Sequence, residues 1–256
     1  MSFRFASLGS GSEGNALIVQ AGSSTLMMDC GFGVGDTEKR LARLGLVPDD
    51  LDAIVVTHEH TDHIGGVARF ARKYHLPVWM THGTMRMMRG DILHKDQLNF
   101  VDPHGTFVID AIKVMPYLVP HDASEPVQYV FSDGVSRLGV LTDTGATTAH
   151  IEAMLSGCDA LVLECNHDLD MLMNGPYPAS LKRRVAGRFG HLDNAAAAAL
   201  LGNIDCSRLK HLVAAHLSKQ NNHPDLARKA LANVLDCDRE WIAIAGQEDG
   251  LAWRFI

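Results

Sequence analysis

The chain has 256 residues, of which 46% are hydrophobic and 21% charged, a composition typical of a globular protein. No run of 18 apolar residues occurs, which excludes a membrane-spanning helix, and the N-terminus lacks the pattern of a secretory signal. The net charge of −7 gives no general attraction for nucleic acid. Five cysteines, odd in number and without a C-x-x-C pair, predict reduced thiols in a cytoplasmic protein.

Apolar periodicity and turn residues predict the secondary structure. In the first half we expect strands Phe3–Leu8, Ala16–Gln20 and Thr25–Asp29, helix Thr37–Leu44, strand Ala53–Thr57, helix Val67–Tyr74, strand Pro77–Met80 and helix Met85–Leu93. Four strands follow, namely Phe107–Ile109, Ile112–Leu118, Gln128–Phe131 and Leu138–Thr142. The last part is predicted to contain helix Ala149–Leu155, strand Ala160–Glu164, helices Pro178–Arg188 and Asn194–Leu201, strand Leu212–Ala215, helix Leu226–Leu235, and strands Trp241–Ala245 and Ala252–Phe255.

This order of elements predicts two packed sheets with helices outside, in an α/β or α+β protein. No segment rich in Pro, Gly or Ser is long enough to separate domains. We therefore expect a single domain over residues 1–256.

A histidine cluster directly follows the strand Ala53–Thr57 and reads H-E-H-T-D-H. His58 and His60 point to the same side of an extended chain and can converge on one cation. Asp62 and His63 come where the chain turns into a helix, and they can face a second position. Four ligands within six residues suit a site for two metal ions, whereas a surface histidine cluster would not be expected at the end of an internal strand.

Further ligands are available at the ends of other predicted strands. His121, Asp143 and His216 each follow an apolar strand, although each alone is a weak signal. His211 competes with His216, but the two lie five residues apart and face opposite sides of a strand. Asp29 also ends a strand and could accept a hydrogen bond from a ligand histidine.

These residues together resemble the five motifs of the metallo-β-lactamase superfamily, in order and in spacing, from residue 3 to residue 255. Four further segments resemble its YycJ/WalJ-like branch of exonucleases, which is related to tRNase Z and to phosphonate-pathway phosphodiesterases. They are residues 7–15 (SLGSGSEGN), 164–168 (ECNHD), 190–194 (GHLDN) and 216–222 (HLSKQNN). The resemblance implies an αββα sandwich with a dinuclear metal site at one edge of the paired sheets.

The resemblance also implies how the ligands divide. One metal ion would be held by His58, His60 and His121, and the other by Asp62, His63 and His216, with Asp143 bridging both. Nitrogen and oxygen ligands without a thiolate suit zinc, which we expect, or manganese or iron. Two such ions make a locally positive centre that can receive a phosphate.

Three residues are expected to act in catalysis, namely Asp62, His191 and Glu164. By resemblance to tRNase Z, His191 would be the general acid and Glu164 would orient it. The alternative is a histidine that merely precedes the helix cap at residues 193 and 194. His167 and His223 are rival candidates for the acid.

Substrate contacts are predicted in two segments. The loop Gly9–Asn15 could cradle a phosphate through Ser10, Ser12, Asn15 and its backbone N–H groups, or it could be an ordinary hairpin turn. The basic run Lys182, Arg183 and Arg184 could contact phosphates, or it could be a solvated helix face.

The favoured function is a phosphodiesterase or exonuclease that acts on nucleic acid. Two metal ions would bind the scissile phosphate and lower the pKa of a bound water from about 15.7 to about 7, giving a hydroxide nucleophile. The alternative is a thioester or lactone hydrolase of the glyoxalase II or lactonase type, because those enzymes resemble this chain in the same seven ligands.

Overall fold

Two β-sheets form the centre of the protein in the computed structural model, which describes residues 2–88 and 93–256; within these ranges each sheet has seven strands. The first sheet begins with β1 (Phe3–Gly9), β2 (Ala16–Ala21), β3 (Ser24–Met28), β4 (Ala53–Val55), β5 (Val78–Met80) and β6 (Leu98–Phe100). The second contains β7 (Phe107–Ile109), β8 (Ile112–Leu118), β9 (Val127–Ser132), β10 (Arg137–Leu141), β11 (Ala160–Glu164), β12 (His211–Ala215) and β13 (Ala243–Ile244). The last strand, β14 (Leu251–Phe255), returns to the first sheet beside β1.

Both sheets are mixed. The first has the order β14-β1-β2-β3-β4-β5-β6, antiparallel up to β3 and parallel from β3 onwards. The second has the order β13-β12-β11-β10-β9-β8-β7, with β10 to β13 parallel and β7 to β10 antiparallel. Parallel strands end at the same edge of a sheet, so the residues that follow β3 and β4 are neighbours, as are those that follow β10, β11 and β12.

The helices of the described residues are α1 (Val34–Arg43), α2 (Thr61–Ile64), α3 (Val67–Tyr74), α4 (His82–Met87), α5 (Ala149–Leu155), α6 (Leu169–Asn174), α7 (Ala179–Val185), α8 (Asn194–Asn203) and α9 (Pro224–Leu235). Five of them, α1, α3, α5, α8 and α9, pack on the outer faces of the sheets. Side chains cap several of them: Thr148 accepts a hydrogen bond from the N–H of Ile151 (3.2 Å), and Asp193 accepts one from Ala196 (2.7 Å). Among the described helices, none is long and apolar enough to cross a bilayer.

Three apolar clusters hold the layers together. The central cluster lies between the sheets and joins Phe5 and Val19 of the first sheet to Phe131 of the second. Alternate residues of the strands point outwards, so that Ile18 packs towards Leu41 of α1 and Phe70 of α3. The opposite face of the second sheet is covered in the same way by α5, α8 and α9. The predicted αββα sandwich is therefore confirmed.

Most predicted strands are confirmed to within two residues, but three helices differ from their predicted bounds by three residues or more. Helix α4 begins at His82 because the side chain of Thr81 accepts a hydrogen bond from the N–H of Thr84 (3.2 Å). It ends at Met87, and the rest of the predicted helix Met85–Leu93 lies partly outside the described residues. Helix α1 starts three residues earlier than predicted. Helix α7 ends at Val185, whose carbonyl accepts from the N–H of His191 (2.9 Å), because the chain turns there.

The strand predicted over Trp241–Ala245 is also wrong in its first part. The side chain of Asp238 accepts from the N–H of Glu240 (3.0 Å) and starts a 3₁₀ turn over Arg239–Trp241. Only the two residues of β13 pair with β12. Strand β6 and the short helices α2 and α6 were not predicted.

Candidate metal centre

The loop that follows β4 carries the histidine cluster to the edge of the sandwich. His60 is the N-terminal cap of the one-turn helix α2, which contains Asp62 and His63. His58 and His63 are buried, whereas His60 and Asp62 are partly exposed. The turn of α2 therefore directs the side chains before it, His58 and His60, and those within it, Asp62 and His63, to two different positions.

Asp29, at the end of β3, fixes the orientation of this loop from below. Its carboxylate accepts hydrogen bonds from the N–H (2.8 Å) and the hydroxyl (2.9 Å) of Thr57, and it lies 2.8 Å from Nδ1 of His63. The Thr57 hydroxyl is also 2.9 Å from Nδ1 of His58. Both histidines thus have their Nδ1 atoms engaged away from the centre, which leaves Nε2 of each ring directed into it.

His60 and His121 meet on the other side of the loop. The Nε2 atom of His121 lies 3.2 Å from Nδ1 of His60, and Nδ1 of His121 lies 3.0 Å from the carbonyl oxygen of Gly190. One nitrogen from each of His58, His60 and His121 falls within a region narrow enough for one cation. The structure therefore brings these three residues together as a candidate ligand set.

A second set surrounds Asp143, which follows β10. Its carboxylate lies 3.1 Å from Nε2 of His63 and 3.3 Å from Nε2 of His216. Asp62 lies 3.6 Å from each of the same two nitrogens. Asp143 also reaches within 4.0 Å of Nε2 of His121, so its carboxylate lies between the two sets.

Three residues of this region have a left-handed backbone. Asp29, Asp143 and His216 have φ angles of 60°, 52° and 55°, and each comes directly after a strand or one residue later. This conformation costs free energy for any residue other than glycine, and it is typical of functional sites held by their surroundings. At each strand end it turns the side chain out of the sheet and towards the centre.

The ligand atoms at the centre are better placed to bind a cation than to form hydrogen bonds with one another. Nε2 of His58, Oδ2 of Asp143 and Nε2 of His216 are buried and make no well-directed hydrogen bond among the described residues, although Asp143 lies close to the rings of His63 and His216. Buried polar atoms without partners are costly. Divalent ions in the two ligand sets would together satisfy all three atoms, so the residues present fit the metal ions that the fold family implies.

Burial and neighbouring charges hold these groups in the states that metal binding needs. Burial lowers the pKa of His58 well below its usual range, which keeps the ring neutral. Burial opposes charge on Asp143, but the nearby rings of His216 and His63 keep the pKa of its carboxyl well below its usual range. The centre thus offers a neutral imidazole at His58 and an ionised carboxylate at Asp143.

His191 and Glu164 form a pair beside the centre. Nδ1 of His191 lies 2.7 Å from Oε1 of Glu164 and 3.7 Å from Asp143. The other oxygen of Glu164 accepts hydrogen bonds from the N–H groups of Thr144 (3.0 Å) and Leu192 (3.1 Å). Burial disfavours the charged ring of His191, but the Glu164 carboxylate outweighs it and raises the pKa of His191 to about 9.

The rival histidines lie in different surroundings. His223 is exposed and accepts a hydrogen bond from the N–H of Asp225 (3.3 Å) at the start of α9. His167 is buried, and neither ring nitrogen has a hydrogen-bond partner among the described residues. Of the three histidines, only His191 lines the cavity that opens onto the centre.

Two residues of the loop Gly9–Asn15 contact the candidate ligands. The Ser10 hydroxyl accepts a hydrogen bond from the N–H of His216 (2.9 Å), and the Asn15 amide lies 3.1 Å from Nε2 of His63. The N–H of Gly11 donates to Asn15 (2.9 Å), so part of the loop's backbone is engaged inside the protein. Ser12 is the predicted substrate contact of this loop that lines the cavity.

The cavity above the centre has a volume of about 400 Å³ and is bordered on one side by α7. Leu181, Arg184 and Val185 of this helix line it. Arg184 is held by Asp122, with 2.6 Å between Nε and Oδ2. Lys182 instead donates to the carbonyl of Met173 (2.7 Å), and the exposed Arg183 is not part of the lining. The structure thus brings one of the three predicted cations to the site.

Sequence reasoning missed several residues of this region. Asp122 lies 3.5 Å from Nε2 of His121 and 3.7 Å from Nε2 of His60, and its position directly after His121 was the available signal. The side chain of Asn166 lies 3.3 Å from Nδ1 of His216. Tyr177 lines the cavity but stands in a segment without a recognisable motif.

Comparisons with known proteins agree with this geometry. A model of the metallo-beta-lactamase superfamily matches residues 9–181. Exodeoxyribonuclease YycJ of Bacillus anthracis is 37% identical over 238 residues, which cover 92% of this chain and 90% of the relative. Exodeoxyribonuclease WalJ of Streptococcus pneumoniae is 32% identical over 237 residues, covering 91% and 88%. The crystal structure of the metallo-beta-lactamase fold protein YhfI from Bacillus subtilis superposes with a TM-score of 0.75 at 17% identity, covering all of both chains.

The paired sheets and the histidine and aspartate cluster at their edge define an enzyme of the metallohydrolase class. The chain belongs to the metallo-beta-lactamase superfamily. The resemblance inferred from the motifs is thereby confirmed, and so is the implied presence of a site for divalent metal ions.

Proposed function

We propose that this protein is a metal-dependent exodeoxyribonuclease, a phosphodiesterase that removes nucleotides from an end of DNA. The observation that carries the proposal is the convergence of seven histidine and aspartate side chains beside the His191–Glu164 pair. The relatives named exodeoxyribonuclease, similar over nine-tenths of the chain, supply the substrate class.

Two divalent ions are part of this proposal. One would be held by His58, His60 and His121, the other by Asp62, His63 and His216, and Asp143 would bridge them. Zinc is the ion we favour, with manganese or iron as alternatives, since the ligands are nitrogen and oxygen atoms. When bound, the ions would supply Lewis-acid activation of the phosphodiester and of a water molecule.

The protein's own residues would complete the reaction. Asp29 keeps His63 in the orientation and tautomer that a ligand needs, through its contact with Nδ1 at 2.8 Å. His191 would give its proton to the departing oxygen, because Glu164 keeps the ring protonated and two backbone N–H groups fix Glu164.

The surroundings of the centre favour an extended anionic substrate. The cavity is open to solvent above the ligands, and Arg184 stands at its wall. A guanidinium can bind a phosphate through two parallel hydrogen bonds. The guanidinium of Arg184 contacts the carboxylate of Asp122 and could bind a substrate phosphate as well. We include Ser12 and Arg184 as substrate contacts and give Ser10 and Asn15 the role of positioning ligands.

Two broader expectations belong to the same proposal. A cytoplasmic location agrees with the five cysteines, all of which are free thiols. One domain over the whole chain agrees with a central apolar cluster to which both sheets contribute.

The test is activity of the metal-reconstituted protein on single-stranded and double-stranded DNA and RNA labelled at the 5′ or the 3′ end. The expected result is progressive release of nucleotides from one end of DNA, stopped when that end is blocked. A thioester and a lactone serve as the second arm. Rapid hydrolysis of either, with every labelled strand intact, would show that the site acts on carbonyl esters instead.

A further inference from the structure

One wall of the candidate active-site cavity is apolar. Among the described residues that line the cavity, Tyr177, Leu181 and Val185 carry aromatic or aliphatic side chains, whereas most of the others are titratable. Leu181 and Val185 are four residues apart in α7 and share a face of the helix, and Tyr177 lies two residues before the helix begins. Cleavage of a phosphodiester needs metal ions, a nucleophile and a proton donor, and an apolar wall supplies none of these. The wall is therefore available to an uncharged part of the substrate.

The backbone that carries Tyr177 is restricted. The residue lies between Pro176 and Pro178, and a following proline disfavours helical backbone angles. The carbonyl of Pro178 accepts a hydrogen bond from the N–H of Lys182 (3.0 Å), and the Lys182 side chain donates to the carbonyl of Met173 (2.7 Å), which closes the connection between α6 and α7. A side chain on such a backbone loses little further freedom when a ligand packs against it.

Tyr177 differs from the other tyrosines of the chain. Tyr117 and Tyr129 are buried and donate to backbone carbonyls at 2.5 and 2.7 Å, and Tyr74 donates to a carboxylate. Tyr177 is partly exposed, and within the part of the chain that the structure describes its hydroxyl has no hydrogen-bond partner. No internal hydrogen bond therefore accounts for a tyrosine at this position in the cavity wall.

A cation lines the same cavity from the same helix. Arg184 follows Leu181 by three residues, a rise of about 4.5 Å along α7, so the two side chains are neighbours on the helix surface. The wall thus offers an aromatic ring and aliphatic groups beside a guanidinium. A nucleotide has the matching parts, a flat base and an anionic phosphate, and proteins that bind single strands combine aromatic rings with cations in this way. A simple phosphate ester would match only the cation.

We propose that the wall formed by Tyr177, Leu181 and Val185 receives the nucleobase next to the phosphodiester that is cut, with the base stacked on the ring of Tyr177. This inference rests on the proposed nuclease function and adds a specificity-determining residue to it. A base that stacks on this ring must first leave its partner in a duplex, which costs free energy. A strand whose terminal bases are unpaired is therefore the preferred substrate.

The experiment compares two labelled single strands of DNA that differ only in the two nucleotides at each end. One strand carries ordinary bases there, and the other carries abasic tetrahydrofuran nucleotides, so that the phosphodiesters are the same. Metal-reconstituted wild type, Tyr177→Ala and Tyr177→Phe are assayed on both strands. The control is Phe255→Ala, since Phe255 is an exposed aromatic residue of β14 that does not line the cavity.

We expect the KM of wild type to be about tenfold higher on the abasic strand, as for loss of one stacked base. Tyr177→Ala should raise KM by the same factor on the base-bearing strand and leave it unchanged on the abasic strand, because ring and base act through one contact. Tyr177→Phe, which keeps the ring, and Phe255→Ala should match wild type on both strands.

Three results would overturn the inference and leave the nuclease function standing. They are equal losses of Tyr177→Ala on both strands, wild-type behaviour of Tyr177→Ala, and a loss in Tyr177→Phe as large as that in Tyr177→Ala. Failure of the wild type to cut the base-bearing strand would overturn both the inference and the nuclease function.

Discussion

The floor and the rim of the active-site cavity are built differently. The floor consists of side chains at strand ends and in α2, and Asp29, His63, Asp143 and His216 are each no more than 2% exposed. The rim includes α7, whose exposed Arg184 lines the cavity. The candidate ligands are thus fixed mainly by the sheets, whereas the proposed substrate contact Arg184 comes from a short helix that can vary without disturbing the core.

The largest effect should follow from breaking the floor at its centre. In Asp143→Ala the metal content should fall from about two ions per chain towards zero, since the bridge contacts both candidate sets. Activity should fall by at least about 10³-fold, because metal ions stabilise the transition state by several kcal/mol. Elemental analysis and a nuclease assay measure the two effects.

Asp110→Ala is the matched control for this variant. Asp110 also has a left-handed φ (48°), but it lies in the turn between β7 and β8. Retention of both ions by Asp143→Ala would contradict the assignment of the bridge. In His216→Ala we expect the loss of mainly one ion.

Removal of the proton donor should have the next largest effect. His191→Ala should lower turnover by about 10²–10⁴-fold on DNA, whose departing oxygen needs a proton. On bis(p-nitrophenyl) phosphate the loss should be much smaller, since p-nitrophenolate leaves without protonation. His223→Ala should behave as wild type on both substrates. Equal losses of His191→Ala on the two substrates would indicate a structural role for the ring.

The support beneath the floor should matter less than the floor itself. Asp29→Asn keeps the shape of the side chain but removes the charge that orients His63, so metal affinity should fall about 10–100-fold. Metal titration with a competing chelator measures it. Asp52→Asn is the control, because Asp52 also accepts a backbone hydrogen bond (from Thr25, 2.6 Å) but has no contact with the centre. If Asp29→Asn binds metal as tightly as wild type, Asp29 does not support the metal ligands.

The rim should give the smallest effect. Arg184→Ala should raise KM for DNA a few-fold and reduce the slope of log affinity against log salt by about 0.7, the value for one single-strand phosphate. Its thermal stability should not change measurably, because an exposed ion pair contributes about 0–1 kcal/mol. Arg183→Ala, which removes a neighbouring cation outside the cavity, should change neither the KM for DNA nor the slope of log affinity against log salt. Equal effects of the two variants would mean that α7 attracts the substrate only by its general charge.

The floor could be predicted from the sequence, whereas the cavity wall above it could be predicted only in part, since Ser12 and Arg184 were predicted and Tyr177 was not. The metal-binding motif stands in six consecutive residues, and its partners follow apolar strands that any pattern analysis finds. Parallel strands then bring their ends together, so the motif and the topology are sufficient. The roles of these residues as ligands stay predictions, because the structure shows their convergence and not the ions.

Elements without a periodic pattern were missed. Strand β6 has three residues, and α2 has four, most of them polar. Lengths of this kind carry no recognisable period, and their structure comes from tertiary contacts. The three cations at 182–184 were taken together, although Leu181 and Val185 mark the face of α7 that lines the cavity and helical spacing places Arg184 on the same face.

The left-handed backbone of Asp29, Asp143 and His216 lowers the stability of the fold while it positions side chains of the site. Substitution by glycine would remove about 1–3 kcal/mol of backbone strain at each position. The greater conformational entropy of glycine in the unfolded chain would cancel only part of this gain in the free energy of unfolding. The gain should be greatest at His216, since aspartate tolerates this conformation better than most residues. Directed evolution for heat resistance alone would therefore favour glycine at position 216. The product would be a more stable protein that no longer binds the ion proposed for Asp62, His63 and His216.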